Sequence, residues 1–504
     1  MGFVSILNKK GGPANVQRSV PTYLLDCNGD RIIEQICKDY PEELKWQFHY
    51  LPADVECMEY RRGIYGDIKL REVSESIEAF LEDMKAYQEV EVKKDKLLSP
   101  LQKKLWHLEE SRIYIKAFTN LYKELEKAPL ASQGMQEFKE YLASVVKGER
   151  FLTLKRQGEE IKSEREAFRI TLHYENERII LADFPEQEED AYEKRLRDVL
   201  PEHSAVLSNL FGNEVEFSSL EKGLIEVLIK KQPAFFKKVA DFYERWESFW
   251  EEPLSLFAKE IRLYLAVWKF QQRMMERGYH FATPVSTGVG GEFRATKVYD
   301  LALALAKGEE QAIISNDVEY RQGEQFLVVT GPNQGGKTTY ARSLGQLLFF
   351  FLMGLDVPAD EAHLPYFERI MTHFSVEESV ETGRGKLMDE LVRLAPMLKQ
   401  EARNAFVIIN ELFTTAANYD AIEMGTRTLR AFLEKGDYGI YVTHLGELAG
   451  MDERVVSMMA LLNEEGKQSF RVERKEATEL SCAIMQVEKH RLSYEQIKER
   501  LACW

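Results

Sequence analysis

Gly331-Pro-Asn-Gln-Gly-Gly-Lys-Thr338 is a glycine, four residues and then Gly-Lys-Thr, which is the phosphate-loop pattern. Phe326-Leu-Val-Val329 before it reads as a buried strand, and Tyr340 to Phe351 after it reads as a helix. A glycine-rich turn between strand and helix leaves backbone N–H groups free to wrap a polyphosphate at the positive end of the helix. Lys337 then reaches the β- and γ-phosphates, and Thr338 offers its hydroxyl to Mg²⁺. A glycine turn without a ligand is the competing reading, and the strand–turn–helix context favours a nucleoside triphosphate.

Outward from this loop the chain alternates strands and helices, the pattern of an α/β domain. Core strands are expected at Phe326–Thr330, Phe406–Asn410 and Gly439–Thr443, with edge strands near Val455–Leu462 and Phe470–Arg474. Gly278 and the Gly288-Val-Gly-Gly291 cluster mark a boundary on the N-terminal side. Between Asp30 and Ser144 the pattern is helical and highly charged, and Phe80, Met84 and Tyr87 illustrate the three-and-four spacing. Ile170, Leu172 and Tyr174 then alternate with polar residues, turn at Glu175-Asn-Glu177 and resume at Ile179, a small hairpin. Helices return from about Glu189 to Arg277.

Phe406-Val-Ile-Ile-Asn-Glu411 is an apolar strand ending in a polar pair. Nucleotide hydrolases place there a carboxylate that holds Mg²⁺ through water, then a Glu that polarises the attacking water. Glu411 suits the second role, against a plain strand-end carboxylate. Asn410 stands where Asp is usual and is a weaker, neutral partner for Mg²⁺ water. In Leu412 to Asp420, Thr and Asn groups face two open readings, contact with a nucleotide held by a second subunit or helix capping by Asn418 and Asp420. Tyr441-Val-Thr-His444 ends another core strand, and a histidine at the carboxyl end of a parallel strand points into the ligand crevice. His444 is read as a γ-phosphate sensor ahead of a structural histidine.

The order Gly-Pro-Asn-x-Gly-Gly-Lys-Thr-Thr-Tyr, apolar strand–Glu411, Asn418-Tyr-Asp and Thr-His444-x-x-Glu-Leu resembles the ATPase domain of the MutS mismatch-repair family. Val357-Pro-Ala-Asp-Glu-Ala362 and Phe367-Glu-Arg-Ile, leading through Glu377-Glu378 to Gly383-Arg384, resemble two further family segments. The resemblance covers roughly residues 310–450. It implies an α-helical core and lever domain followed by an α/β ABC-type P-loop ATPase domain. ATP and Mg²⁺ are the implied cofactors, with two nucleotides held between the subunits of a homodimer. Carried over, Gly331, Pro332, Asn333, Gln334, Gly335, Gly336, Lys337, Thr338 and Thr339 cradle the nucleotide, with Asn333 on the phosphates. Thr338 and Asn410 serve Mg²⁺, the latter through water; Glu411, His444 and Lys337 serve catalysis. Asn418, where the family has a Thr, would lie near the partner's nucleotide, and Ile313 falls where the family stacks an aromatic on adenine. The implied division is a flexible arm at 1–20, the helical domain at 21–278 with its hairpin near 168–181, the ATPase domain at 279–490 and a C-terminal helix at 491–504.

The family's mismatch-reading Gly-x-Phe-x-Glu motif is not found near this N-terminus. Asp241-Phe-Tyr-Glu244 looks like it, but with Trp246, Phe249 and Trp250 it forms an aromatic face at helical spacing, which reads as core. The expected function is therefore an ATPase that clamps DNA, branched, distorted or mismatched, in an ATP-dependent way. The alternative is a nucleotide switch with weak hydrolysis acting through RNA, a ribosome or a protein. A net charge of −16 over 504 residues leaves nucleic-acid contact to local patches. Lys93, Lys94, Lys96, Lys103 and Lys104 form one cluster, and Lys230, Lys231, Lys237 and Lys238 another; glutamates nearby favour a solvated helix face for each. Five cysteines without CxxC pairing imply reduced thiols, and no signal peptide or membrane-length apolar run occurs, so a cytoplasmic protein is expected.

Overall fold

The computed structural model describes residues 3–9, 19–97, 99–167, 170–175, 178–183, 228–307, 313–375, 385–400, 404–463 and 467–476, with isolated positions beyond 493. Apart from those positions the expected C-terminal helix lies outside them, as does the part of the Glu189–Arg277 stretch before residue 228. The chain forms two compact units, one of Met1–Ser5 with Asp67–Ile261 and one of Ile6–Gly66 with Arg262–Trp504. The sequence reading differs here, since it placed the whole of 21–278 in one helical domain.

The first unit is helical. Arg71–Lys96 and Pro100–Lys127 are joined by a three-residue link, so they run antiparallel. Ser99 caps the second helix by accepting from the N–H of Gln102, and Pro100 takes the first helical position, where a missing N–H costs nothing. Phe80, Met84 and Tyr87 all face inward. Phe242, Trp246 and Phe249 are buried, and Tyr114 meets Phe249 and Trp250 at ring distances of 5.0 and 4.9 Å. The Phe242 region is core, as its spacing predicts. Strands β1 (Ile170–Glu175) and β2 (Arg178–Asp183) pair antiparallel, Ile170 opposite Asp183. Phe3 packs on Phe138 at 5.1 Å and Ser5 donates to Glu260 at 2.8 Å, so this part of the expected loose arm is fixed.

The second unit holds two sheets. In chain order its strands are β3 (Val285–Ser286), β4 (Phe293–Val298), β5 (Asn316–Tyr320), β6 (Phe326–Thr330), β7 (Glu361–Leu364), β8 (Arg369–Phe374), β9 (Ala405–Asn410), β10 (Tyr438–Val442), β11 (Val455–Leu462) and β12 (Gln468–Arg474). The larger sheet has the order β12-β11-β6-β10-β9-β8. Its five strands from β11 to β8 run parallel, and β12 closes one edge antiparallel. Every residue of β6 and of β9 is buried, as expected for parallel strands covered on both faces. The smaller sheet, β3-β7-β4-β5, was not anticipated. It meets the larger one through Phe293, Tyr320 and Phe406, and Tyr320 donates its hydroxyl to the carbonyl of Gly439 at 2.8 Å.

Helix Lys337–Leu352 follows β6 and is buried along most of its length. Gly345 lets residue 27 approach: a Cβ there would sit 2.4 Å from the Cys27 sulfur. Next to it Gln346 donates to the carbonyl of Cys27 at 2.8 Å, and Arg342 donates to that of Asp26 at 3.0 Å. These contacts bind the N-terminal helices of this unit to the α/β region. No helix among the described residues is long and apolar enough to cross a membrane.

Candidate functional site

Because β6, β9 and β10 run parallel, the segments that follow them emerge at one edge of the sheet. The turn after β6 needs glycine. Gly331 has φ +120°, and a Cβ on it would lie 2.8 Å from the carbonyl of Ala460; Gly336 has φ +92°. Gln334 also takes a left-handed conformation, at φ 61°. Helix Lys337–Leu352 starts at once, so its first N–H groups, which have no partner within the helix, open on this turn. Lys337 is 4% exposed and lays its ammonium across the loop, 2.8 Å from the carbonyl of Gly331 and 3.0 Å from that of Pro332.

The end of β9 meets this loop. Thr338 donates its hydroxyl to the amide oxygen of Asn410 at 2.9 Å. Glu411 follows at φ 56°, and its N–H donates to the carbonyl of Val442 at 2.9 Å. The end of β10 places the ring Nε2 of His444 3.4 Å from the Glu411 carboxylate, with both side chains partly open to solvent.

A cleft of about 630 Å³ lies over the loop. Asn333 to Thr339 line it together with Glu411 and Ile313. Asn410, Gly331, Pro332 and His444 are not among its lining residues; Asn410 is hydrogen-bonded to Thr338, and the carbonyls of Gly331 and Pro332 accept from Lys337. Asn418 is not among the lining residues. It is the first residue of helix Asn418–Lys435 and is exposed, and Ala417 occupies the cap position without a side-chain hydrogen bond. The capping alternative for Asn418 is therefore not realised.

The cleft also contains residues that the sequence reading did not single out. Phe470 on β12 has φ 58°, is 46% exposed, and comes within 3.5 Å of where a Cβ on Gly336 would sit. Asn316 fixes it on both sides, donating to the Phe470 carbonyl at 3.1 Å and accepting from the Val472 N–H at 2.8 Å. Ile313, Ile314 and Phe470 give the cleft an apolar wall suited to a flat ring. Nothing in the alternating pattern of the edge strand signalled this, because the kink at Phe470 depends on its pairing with Asn316.

Thr338 and Asn410 are both hard oxygen donors at hydrogen-bond distance, a pairing that suits Mg²⁺ shared with a phosphate rather than a protein-only cage. Among the described residues no group of three or more His, Cys, Asp or Glu is arranged to hold a metal.

Fold and cleft together define an α/β domain with an open cleft at the carboxyl ends of its parallel strands. A family model for MutS domain V matches residues 327–489. The curated relatives include the DNA mismatch repair protein MutS of Caldicellulosiruptor bescii, 30% identical over 167 residues that make up 32% of this chain and 18% of that protein. MutS of Thermus aquaticus is 30% identical over 138 residues, 27% of this chain and 17% of its own length. DNA mismatch repair protein MSH2 of Saccharomyces cerevisiae is 30% identical over 149 residues, 29% of this chain and 16% of its own. Over this C-terminal region the chain matches MutS domain V and is similar to these MutS and MSH2 proteins. The chain spans less than a fifth of the length of these relatives.

Proposed function

We propose that the chain binds and hydrolyses ATP with Mg²⁺ through an ABC-type P-loop ATPase domain, and couples this to DNA binding. The observation that carries the proposal is that Lys337, Thr338 and Glu411 line one cleft from two parallel strand ends, with Asn410 hydrogen-bonded to Thr338. In this reading the loop N–H groups and Lys337 hold the β- and γ-phosphates, and the base lies along Ile313, Ile314 and Phe470. Thr338, with Asn410 through water, holds Mg²⁺, which supplies neutralisation of phosphate charge. Glu411 orients a water in line with the γ-phosphorus and takes its proton as the new P–O bond forms and the bond to the β-phosphate oxygen breaks. ADP and inorganic phosphate leave. His444, beside Glu411, contacts the γ-phosphate.

The names of the relatives, which speak of DNA mismatch repair, favour mismatched DNA as the coupled ligand. The reading also takes the chain as a homodimer with two composite sites, in which Asn418 faces the partner's nucleotide. In the helical unit, Lys94 is paired with the buried Glu110 at 2.6 Å and Lys238 with Glu164, while Lys93 and Lys104 lie over the rings of Trp106 and Tyr243. Localisation in the cytoplasm fits this reading. The test is Mg²⁺-dependent ATP turnover by the full chain, alone and with homoduplex, mismatched and four-way-junction DNA. Turnover raised by one DNA form is expected, and Lys337→Ala should abolish tight nucleotide binding. Unchanged affinity in that variant sinks the loop assignment, and turnover indifferent to every DNA form sinks the coupling.

A further inference from the structure

The turn after β9 is costly to build. Glu411 and Phe413 adopt φ 56° and 64°, left-handed conformations that are costly for a residue with a Cβ. Something must hold them. Leu412 and Phe413 are buried in the core with Leu394, Leu429 and Tyr441, and the Glu411 N–H is tied to Val442. The N–H of Phe413 has a different partner. It donates to Oε2 of Glu390 at 3.0 Å, from helix Lys386–Lys399.

Glu390 is an unusual residue to bury. It is 4% exposed, and its other oxygen, Oε1, is buried without a hydrogen bond. The hydroxyl of Tyr441, whose pKa is pushed up first by burial and then by the Glu390 charge, is likewise buried without a partner. Burial also pushes the pKa of Glu390 up, against the pull of the Phe413 N–H, Lys386 and Arg393. An apolar side chain would fill the same space without stranding a polar oxygen. What a leucine or methionine cannot do is accept the N–H of a residue in a left-handed turn.

We infer that Glu390 is the positioning residue for Glu411: its carboxylate pins the Phe413 N–H and so fixes the backbone that aims Glu411 into the cleft. The inference deepens the hydrolase reading above and rests on it for its kinetic consequence. Glu390 does not line the cleft and touches none of the loop from Gly331 to Thr338 that is proposed to hold the phosphates. Its loss therefore acts on the chemical step and not on nucleotide affinity. A displacement of a reacting group by about 1 Å costs on the order of 100-fold in rate.

Three variants of the full chain test this, Glu390→Leu, Glu390→Asp and Glu390→Gln. The Leu variant removes the acceptor, the Asp variant keeps the charge but draws the acceptor back by a methylene, and the Gln variant keeps an acceptor in place. For Leu and Asp, kcat is expected to fall about 10- to 100-fold, with ATP affinity within about twofold of the parent. Gln should retain most of the activity. Amide hydrogen exchange across 411–416 should quicken for Leu and Asp but not for Gln, a readout that needs no turnover. Unchanged kcat and exchange in Leu and Asp overturn the inference, as does a Gln variant as impaired as Leu. A loss of kcat matched by an equal loss of ATP affinity also overturns it. If the parent itself shows no turnover the hydrolase reading fails, and the exchange pattern alone still decides whether Glu390 holds the turn. Should Glu390→Leu not fold, the Asp variant carries the comparison.

Discussion

Thr338 and Asn410 lie 72 residues apart in the chain and 2.9 Å apart in the fold. Their meeting was legible in the sequence, because a glycine-rich loop after one strand and a polar pair after another need only a parallel sheet to bring them together. Lys337 and Glu411 were legible for the same reason. Asn410 is 8% exposed and presents a neutral oxygen where a carboxylate would add charge toward Mg²⁺. Replacing it by Asp keeps the acceptor for Thr338, and should lower the Mg²⁺ concentration for half-maximal turnover on the order of tenfold. Turnover measured against Mg²⁺ checks this. A large rise in maximal turnover from a near-zero baseline would mean that the natural chain is a nucleotide switch and not a working ATPase. Phe470, Asn316 and Glu390 were not legible. Each acts through a partner distant in sequence, and no local spacing marks a buried carboxylate whose function is to hold one backbone N–H.

At the scale of elements, long runs of apolar residues declared β6, β9 and β10, and the structure places them side by side with Phe326 opposite Gly439 and Tyr438 opposite Phe406. The smaller sheet was missed because its strands are short and half exposed; β3 has two residues, and β4 mixes buried and exposed positions. The Phe367-Glu-Arg-Ile segment, noted for its family resemblance, enters β8 at the sheet edge, while 376–384 lies outside the described residues. Gly439 on β10 shows how tightly the sheet is closed. A Cβ there would fall 2.2 Å from the carbonyl of Val407 and 2.6 Å from the ring of Phe326. Both neighbours belong to the core, so Gly439→Ala is expected to cost about 3 kcal/mol or more. A urea midpoint unchanged from the parent would show that β9 and β10 can separate more freely than this packing implies.

At the scale of the whole molecule, residues 6–66 belong with the α/β region and not with the helices that follow them in sequence. Arg61 is almost fully buried, donating to the carbonyl of Leu7 at 2.8 Å and contacting the sulfur of Met353. Gly354, at φ +79°, would bring a Cβ to 2.8 Å from the Arg62 nitrogen. Tyr65 donates to Gln271 at 2.6 Å, and Thr372 donates to Asp26 at 2.7 Å. A fragment of residues 262–504 would expose the surface that these contacts cover. We expect it to aggregate or melt well below the full chain, and to recover when residues 6–66 are restored by a linker. A 262–504 fragment that is monomeric and melts like the parent would show that the N-terminal segment is dispensable to this unit.

Information carried by neighbours in the chain was available before the structure: the glycine loop, the apolar strands, the polar residues at their ends, the helical spacing of the first half and the family resemblance that these motifs carry. Those features follow from backbone sterics and from the period at which apolar residues recur, both of which act over a few residues. The enrolment of residues 6–66 in the α/β unit, the second sheet, the Phe470 wall and the Glu390 anchor came from the fold. Each depends on surfaces that meet across tens to hundreds of residues, where shape and the need to satisfy buried polar groups select the partner and no local pattern records the choice.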